Sequence, residues 1–346
     1  MATVRTSLRI GDAPQQLQFR SFSTAAPLTT RRLNKAIDFS ATPLLYHTAE
    51  TFKSTPGLPR TGPSSRENLF QSVNSSLRTA LKTDQKVVCF GEDVAFGGVF
   101  SCTMGLQAEF GPNRIFNTPI TEQGIVGVAV AFDQIVNEAA KFRYREGATG
   151  GNLGGMVIRM PCGGVGHGAL TCRYHTQSPE SLFCHIPGFK VVVPRSPSQA
   201  KGLLLASILE SSDPVIFMEP KILYRAAVEH VPEEMYTLPL SQAEIVKSGK
   251  DLTIISYGRP LYTCAAAIEA AERDFKGASI ELIDLRTIYP WDRQTVAESA
   301  KKTGRAIIVH ESMVNFGVGA EVAATIQRLA YEKFIVPDVA KRSLEY

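Results

Sequence analysis

DLTIISYG (251–258), LYTCAAAIEAAERDF (261–275), SIELIDLRTIYPWD (279–292) and RAIIVHES (305–312) follow one another in this 346-residue chain, and their order decides the fold. The first, third and fourth are short apolar runs rich in Ile, Leu and Val, which suits strands buried on both faces. The second has the Ala content and the length of a helix. A helix between two buried strands is the crossover that parallel strands require, so this stretch reads as a β-α-β unit with a parallel sheet.

Working back from this unit, residues 231–244 contain Pro232, Pro239 and several charges and read as a boundary between two domains. Upstream the same alternation recurs, from FKVVVP (189–194) through SQAKGLLLASILE (198–210) to PVIFMEP (214–220), with a further strand at MVIRM (156–160). Leu69, Val73, Leu77 and Leu81 recur every four residues, so the spacing predicts an amphipathic helix over 67–84. KVVCF (86–90) is a strand ending abruptly at Gly91, Glu92 and Asp93. AFDQIVNEAAKFRYR (131–145) has helical spacing, and a glycine-rich loop follows at 147–155. The expected architecture is α/β, two domains in series, parallel sheets with helices on both faces.

The formal charge of +4 suggests nucleic-acid binding until its location is considered. Arg5, Arg9, Arg20, Arg31, Arg32 and Lys35 stand against the single acid Asp12 within the first 37 residues, among many Ser and Thr. That composition is expected of a mitochondrial transit peptide over 1–37, with a basic disordered tail as the plainer alternative. Without it the body is close to neutral and has no footprint for nucleic acid. STPGLPRTGPSS (54–65) is Pro-, Gly- and Ser-rich, so 38–65 is expected to be a linker and 66–230 and 245–346 the two domains. No apolar run approaches the length of about 18 residues that a membrane span needs. No two of the six cysteines form a C-x-x-C pair, so buried thiols are expected and neither a disulfide framework nor a zinc site.

Acids just past a buried strand lie where α/β sheets bind ligands, which draws attention to Glu92 and Asp93, and with them Glu122. On the residues alone each reads as a helix cap or a solvated loop acid before it reads as a catalyst, since acids are common after strands and before helices. His167 and His175 lie near the glycines of PCGGVGHG (161–168), but no third ligand at metal-binding spacing accompanies them. The glycine-rich stretches fit neither the P-loop nor the dinucleotide fingerprint.

The order of GEDVAFGGVF (91–100), FNTPITEQGIVG (116–127), AFDQIVNEAAKFRYR, YHTQSPE (174–180), VVVPRSP (191–197), AKGLLL (200–205), EPKILYRAA (219–227), IDLRTIYPWD (283–292) and VHES (309–312) resembles the beta subunits of the branched-chain 2-oxo acid dehydrogenase decarboxylase component. These are transketolase-like thiamine-diphosphate enzymes. Pyruvate dehydrogenase beta subunits resemble the chain less well. The resemblance implies a thiamine-diphosphate-binding-like pyrimidine domain followed by a transketolase C-terminal-like domain. It also implies oxidative decarboxylation of branched-chain 2-oxo acids in the mitochondrial matrix, with reductive acylation of the lipoyl group of an acyltransferase core.

By resemblance, Glu122 accepts a hydrogen bond from the cofactor's aminopyrimidine ring, favouring the tautomer able to act as an internal base. Glu92 and Ile120 are implied to lie near that ring. His175 is implied as the proton donor when the acyl group passes to the lipoyl arm, a role that suits an imidazole. A potassium ion is implied at backbone oxygens of Gly154, Met156 and Val157 and near Ile208, Ser211 and Asp213. The body lacks the GDG motif and paired asparagines that hold the magnesium diphosphate in such enzymes. Their place is implied on an alpha subunit, in an assembly of two alpha and two beta chains.

The chain departs from the resemblance in three places. Only Val128, Ala129 and Val130 stand between EQGIVG and AFDQIV, where about two dozen residues including a strand are expected; Thr171, Cys172 and Arg173 are additional; and about one strand and loop is missing near Gln327. Three residues cannot form a turn, a buried strand and a return at a rise of about 3.3 Å per residue. A non-catalytic variant that only binds the alpha subunit is therefore the competing expectation.

Overall fold

The computed structural model describes residues 55–59, 61–119, 139–145, 147, 155–164 and 177–331. Strand β1 (Ser64–Asn68) pairs antiparallel with β7 (Val228–Pro232). Helix α1 (Leu69–Thr83) starts at a capping box in which the Asn68 side chain accepts from the Gln71 N–H at 3.1 Å and the Gln71 side chain accepts from the Asn68 N–H at 2.9 Å. Its predicted stripe of Leu69, Val73, Leu77 and Leu81 is buried. The small Ser72 and Ser76 lie on the buried side too, and the Ser76 hydroxyl donates to the Lys201 carbonyl of the neighbouring helix at 3.2 Å.

The stretch expected to be a linker through residue 65 is packed from Thr55 onward. Thr55 is buried, Leu58 lies on the core, Glu233 N–H donates to the Pro63 carbonyl at 3.0 Å, and β1 begins at Ser64. Proline and glycine set turns here; they do not keep the chain off the body.

Short parallel strands β2 (Cys89–Gly91) and β3 (Ile115–Asn117) form a two-stranded sheet, joined through the short helix α2 (Leu106–Phe110). A second sheet has the order β11-β5-β6-β4, from β4 (Val157–Cys162), β5 (Lys190–Val192), β6 (Val215–Pro220) and β11 (Thr287–Tyr289). Its β4, β6 and β5 are parallel. Helices α3 (Glu180–Cys184), α4 (Pro197–Leu209) and α5 (Leu223–Ala226) intervene. Helix α4 is buried on nearly every face, which is why it has no polar stripe. Gly202 is obligatory there, since a Cβ would come within 2.6 Å of Leu238.

The third sheet has the order β12-β9-β10-β8, from β8 (Glu244–Lys247), β9 (Leu252–Ser256), β10 (Ile280–Asp284) and β12 (Ala306–Ile308). Strands β12, β9 and β10 are parallel, with crossover helices α6 (Pro260–Asp274) and α7 (Arg293–Thr303), as the opening stretch predicts. Helix α8 (Val318–Tyr331) runs through Gln327. The predicted single strand over 279–292 is two strands in two sheets. Arg286 adopts φ 56°, its N–H donating to the Asp284 carboxylate at 3.0 Å, and the chain then leaves the third sheet so that β11 pairs antiparallel with β5 of the second.

Around that crossing lies a buried charge cluster. Arg195, fully buried, donates to Glu244 at 2.9 and 3.0 Å and to Asp284, and Gln199 donates to both acids at 3.0 and 2.9 Å. Arg195 follows β5, while both acids belong to the third sheet, so the cluster ties the two sheets together. Among the described residues no helix is long and apolar enough to cross a membrane.

Candidate active site

Glu92 and Thr118 stand one residue beyond the registered pair Gly91 and Asn117, at the carboxyl ends of β2 and β3. The Thr118 N–H donates to the Gly91 carbonyl at 3.0 Å, and the Asn117 side chain accepts from the Ala95 N–H at 2.7 Å, which fixes the turn after β2. Asp93 in that turn takes φ 53°, a left-handed conformation costly for a residue with a Cβ, while Gly97 and Gly98 take φ 120° and 70° without that cost. Oε1 of Glu92 and Oγ1 of Thr118 are buried, and neither has a hydrogen-bond partner among the described residues. Orphaned buried polar atoms are costly and point to a ligand. Nearby Phe96 and Val99 are about three-quarters exposed, at 73% and 75%. The arrangement suits a heteroaromatic ring carrying hydrogen-bonding groups, held beside an apolar rim.

The other implied cofactor residues, Ile120 and Glu122, lie outside the described residues, as do His175 and Gly154. Met156, Val157, Ile208, Ser211 and Asp213 are brought together where β4 begins and α4 ends. Gly155, at φ +79°, lies so close to the Ile208 carbonyl that a Cβ would be 2.8 Å from it, and its N–H donates to the Ser211 carbonyl at 2.9 Å. The Met156 carbonyl accepts from Val215 N–H at 2.9 Å. Each carbonyl has a second lone pair, so the cradle fits a cation held by neutral oxygens. Asp213 is already paired with Arg143 and, at 3.3 Å, with Lys190, so little uncompensated negative charge is left for a divalent ion. No cluster of His, Cys, Asp and Glu among the described residues is fit to hold a metal.

Two polar groupings escaped the reading of the sequence. Arg159 on β4 makes a bidentate pair with Glu219 on β6 at 2.7 and 2.9 Å, and Tyr224 donates to the same carboxylate at 2.6 Å. Burial pushes the neighbouring Cys102 thiol up to about 12, with Glu219 adding to the rise, so this cysteine stays a protonated core residue. The second grouping joins the carboxyl ends of the second and third sheets. Glu180, only 3% exposed, accepts from Tyr257 at 2.8 Å, and Arg259 donates to Glu311 at 2.7 Å. The sequence signal was acids directly after strands, which VHES displays.

The transketolase pyrimidine binding domain family matches residues 68–134 and 130–227, and the transketolase C-terminal domain family matches 241–343. The 2-oxoisovalerate dehydrogenase subunit beta, mitochondrial, of Chaetomium thermophilum is 55% identical over 372 residues, covering 94% of this chain and 78% of the relative. The chain belongs to the transketolase family, among its 2-oxo acid dehydrogenase beta subunits. The namesake from Dictyostelium discoideum is 47% identical, covering 87% of this chain and 89% of its own. The pyruvate dehydrogenase E1 component subunit beta of Staphylococcus aureus is more distant at 42%, covering 76% and 85%. A solved structure described as split gene transketolase, inactive beta4 tetramer, has a TM-score of 0.57 at 20% identity, covering 76% of this chain and 84% of that one, and shares the fold.

The alignment of 372 residues is longer than this 346-residue beta subunit, so the Chaetomium relative carries segments with no counterpart here. The pyrimidine family matches in two stretches that meet at 130–134, where the sequence lacks the expected strand. Among the described residues the β2-β3 pair shares no strand with the four-stranded sheet containing β4.

Proposed function

We propose that this chain is the beta subunit of a mitochondrial branched-chain 2-oxo acid decarboxylase, acting on 3-methyl-2-oxobutanoate and its relatives in the matrix. The observation that carries the reading is the 55% identity over nearly the whole chain, combined with an orphaned carboxylate at the carboxyl end of β2. Thiamine diphosphate supplies an acidic thiazolium carbon and an electron sink. Glu92 and Thr118 offer that cofactor's pyrimidine two unsatisfied polar atoms, and Ile120 and Glu122 follow Thr118 closely in sequence. Glu122 would accept a hydrogen bond from the aminopyrimidine ring and so favour the tautomer able to act as an internal base. His175 provides a proton to the acyl-accepting lipoyl arm, and the alpha subunit contributes the magnesium-diphosphate half of the site.

Residues 1–37 are the transit peptide, 66–230 the pyrimidine domain and 245–346 a shortened C-terminal domain. A potassium ion at the Met156, Ile208 and Ser211 carbonyls and beside Asp213 would stiffen the turn before β4.

Co-expression with an alpha subunit tests the reading. Decarboxylation of 3-methyl-2-oxobutanoate, abolished by Glu122→Gln without loss of the complex, is the expected result. The segment missing between EQGIVG (122–127) and AFDQIV (131–136) favours one competing reading, a subunit that binds its partner without catalysis; an intact complex with no turnover establishes that instead.

A further inference from the structure

Glu92 leaves β2 and Thr118 leaves β3 side by side, since paired strands lie about 4.8 Å apart and Gly91 is registered with Asn117 just before them. Oε1 of Glu92 has no partner, so the place of this carboxylate is set by the backbone that carries it. That backbone continues into a turn over 93–98, in which the Asp93 carbonyl accepts from the Phe96 and Gly98 N–H groups at 2.9 and 2.8 Å.

Two residues from outside the turn grip it. The Asn117 side chain accepts from the Ala95 N–H at 2.7 Å. From the other direction the Thr103 hydroxyl donates to the Val94 carbonyl at 2.7 Å, and the Thr103 N–H donates to the Gly97 carbonyl at 2.9 Å. Thr103 is only 2% exposed and is braced in turn, because Asn74 of α1 donates to the carbonyls on both sides of it, those of Cys102 and Met104, at 3.0 Å each. Phe100 in the same loop stacks on Tyr224 with ring centroids 4.6 Å apart. A short turn is thus held by a buried hydroxyl, a strand-end amide and a braced loop, while the carboxylate beside it is left unpaired. Stability gains nothing from that carboxylate, whereas a binding site depends on where it stands.

We propose that Thr103 and Asn117 are positioning residues for the pyrimidine ring of thiamine diphosphate, clasping the 93–98 turn from two sides so that the Glu92 carboxylate stays beside the Thr118 hydroxyl. The inference rests on the reading of Glu92 and Thr118 as cofactor contacts. Each clasp acts through the backbone of residues 94–97 and not by touching the ring.

The test uses the complex assembled with the alpha subunit and follows its thermal stabilisation by thiamine diphosphate and magnesium, which reports binding without turnover. Thr103→Val keeps the buried shape and removes the hydroxyl; Thr103→Ser keeps the hydroxyl. Expected is a half-maximal cofactor concentration about tenfold higher for Thr103→Val and close to wild type for Thr103→Ser. Adding Thr103→Val to Glu92→Gln should raise it no further, since a residue that acts through another is not additive with it. A threonine serving stability alone would lower the melting temperature of the cofactor-free complex and leave the cofactor concentration unchanged. That result overturns the proposal, as does a full additional rise in the Glu92→Gln background. If Thr103→Val does not assemble, Asn117→Leu against Asn117→Asp, which keeps the acceptor, is judged by the same criteria. A wild-type complex that gains no stability from the cofactor overturns the thiamine-diphosphate reading itself, and the proposal with it.

Discussion

Glu180 keeps a buried carboxyl whose pKa is raised, first by burial, with its own N–H and Tyr257 offsetting part of the effect. The folded state then holds the proton more tightly than the unfolded chain does. The carboxyl contributes stability that is complete below its ordinary value of 4.5 and is lost as pH rises through the folded value. Gln at this position cannot ionise. The stability difference between wild type and Glu180→Gln should therefore favour wild type most at acid pH and shrink as pH rises, read from denaturant midpoints across that range. A difference that stays flat would remove this account. Glu281 behaves in the opposite sense. Burial alone would raise it, but hydrogen bonds from Lys302, Ser299 and the Gly249 N–H override burial and hold its pKa below 4.5. Its contribution is present above 4.5 and lost as pH falls through the folded value, so Lys302→Met should weaken the protein at neutral pH and change it little in strong acid.

Among the elements, α1 was legible because its Leu and Val spacing matches one buried face; the capping box of Asn68 and Gln71 at its start emerged only from the structure. Leu77→Ala on that face should lower stability by about 2–5 kcal/mol, measured by chemical denaturation, because a buried leucine leaves a cavity when truncated. A loss near zero would mean that the face is not packed. Strands β9 and β10 and helix α6 were equally legible, since buried parallel strands read as continuous apolar runs. The break at Arg286 was not, because leaving one sheet for another depends on a left-handed residue and a partner strand about a hundred residues upstream; β8, joining as an antiparallel edge, left no periodic trace either. For the site, Glu92 was legible as an acid after a strand. Thr118 and the pairing of Glu180 with Tyr257 were not, because each is defined by what faces it in space.

Across the whole molecule, the family's two domains share more than a sequence boundary. Strand β11 comes from the C-terminal half yet completes the sheet of the first, and Arg195 joins that sheet to Glu244 and Asp284. Burial raises the Asp284 pKa, with Arg195 opposing, and the Arg195 guanidinium outweighs burial at Glu244 to lower its pKa. Two carboxylates in one dry site are tolerable only while the guanidinium stands between them. Removing one partner of a buried charge cluster typically costs about 3–5 kcal/mol, because the charges left behind have no solvent. Since the cluster lies between the sheets, its stabilisation is a coupling between the halves and should appear as cooperativity. Wild type is therefore expected to melt in a single calorimetric transition, and Arg195→Met to melt lower and in two steps as each half unfolds by itself. Raising the acidity should partly rescue the variant by protonating Asp284 and Glu244. Two separate transitions in wild type, or an Arg195→Met variant as stable as wild type at neutral pH, would show that the halves are held by their apolar contacts alone.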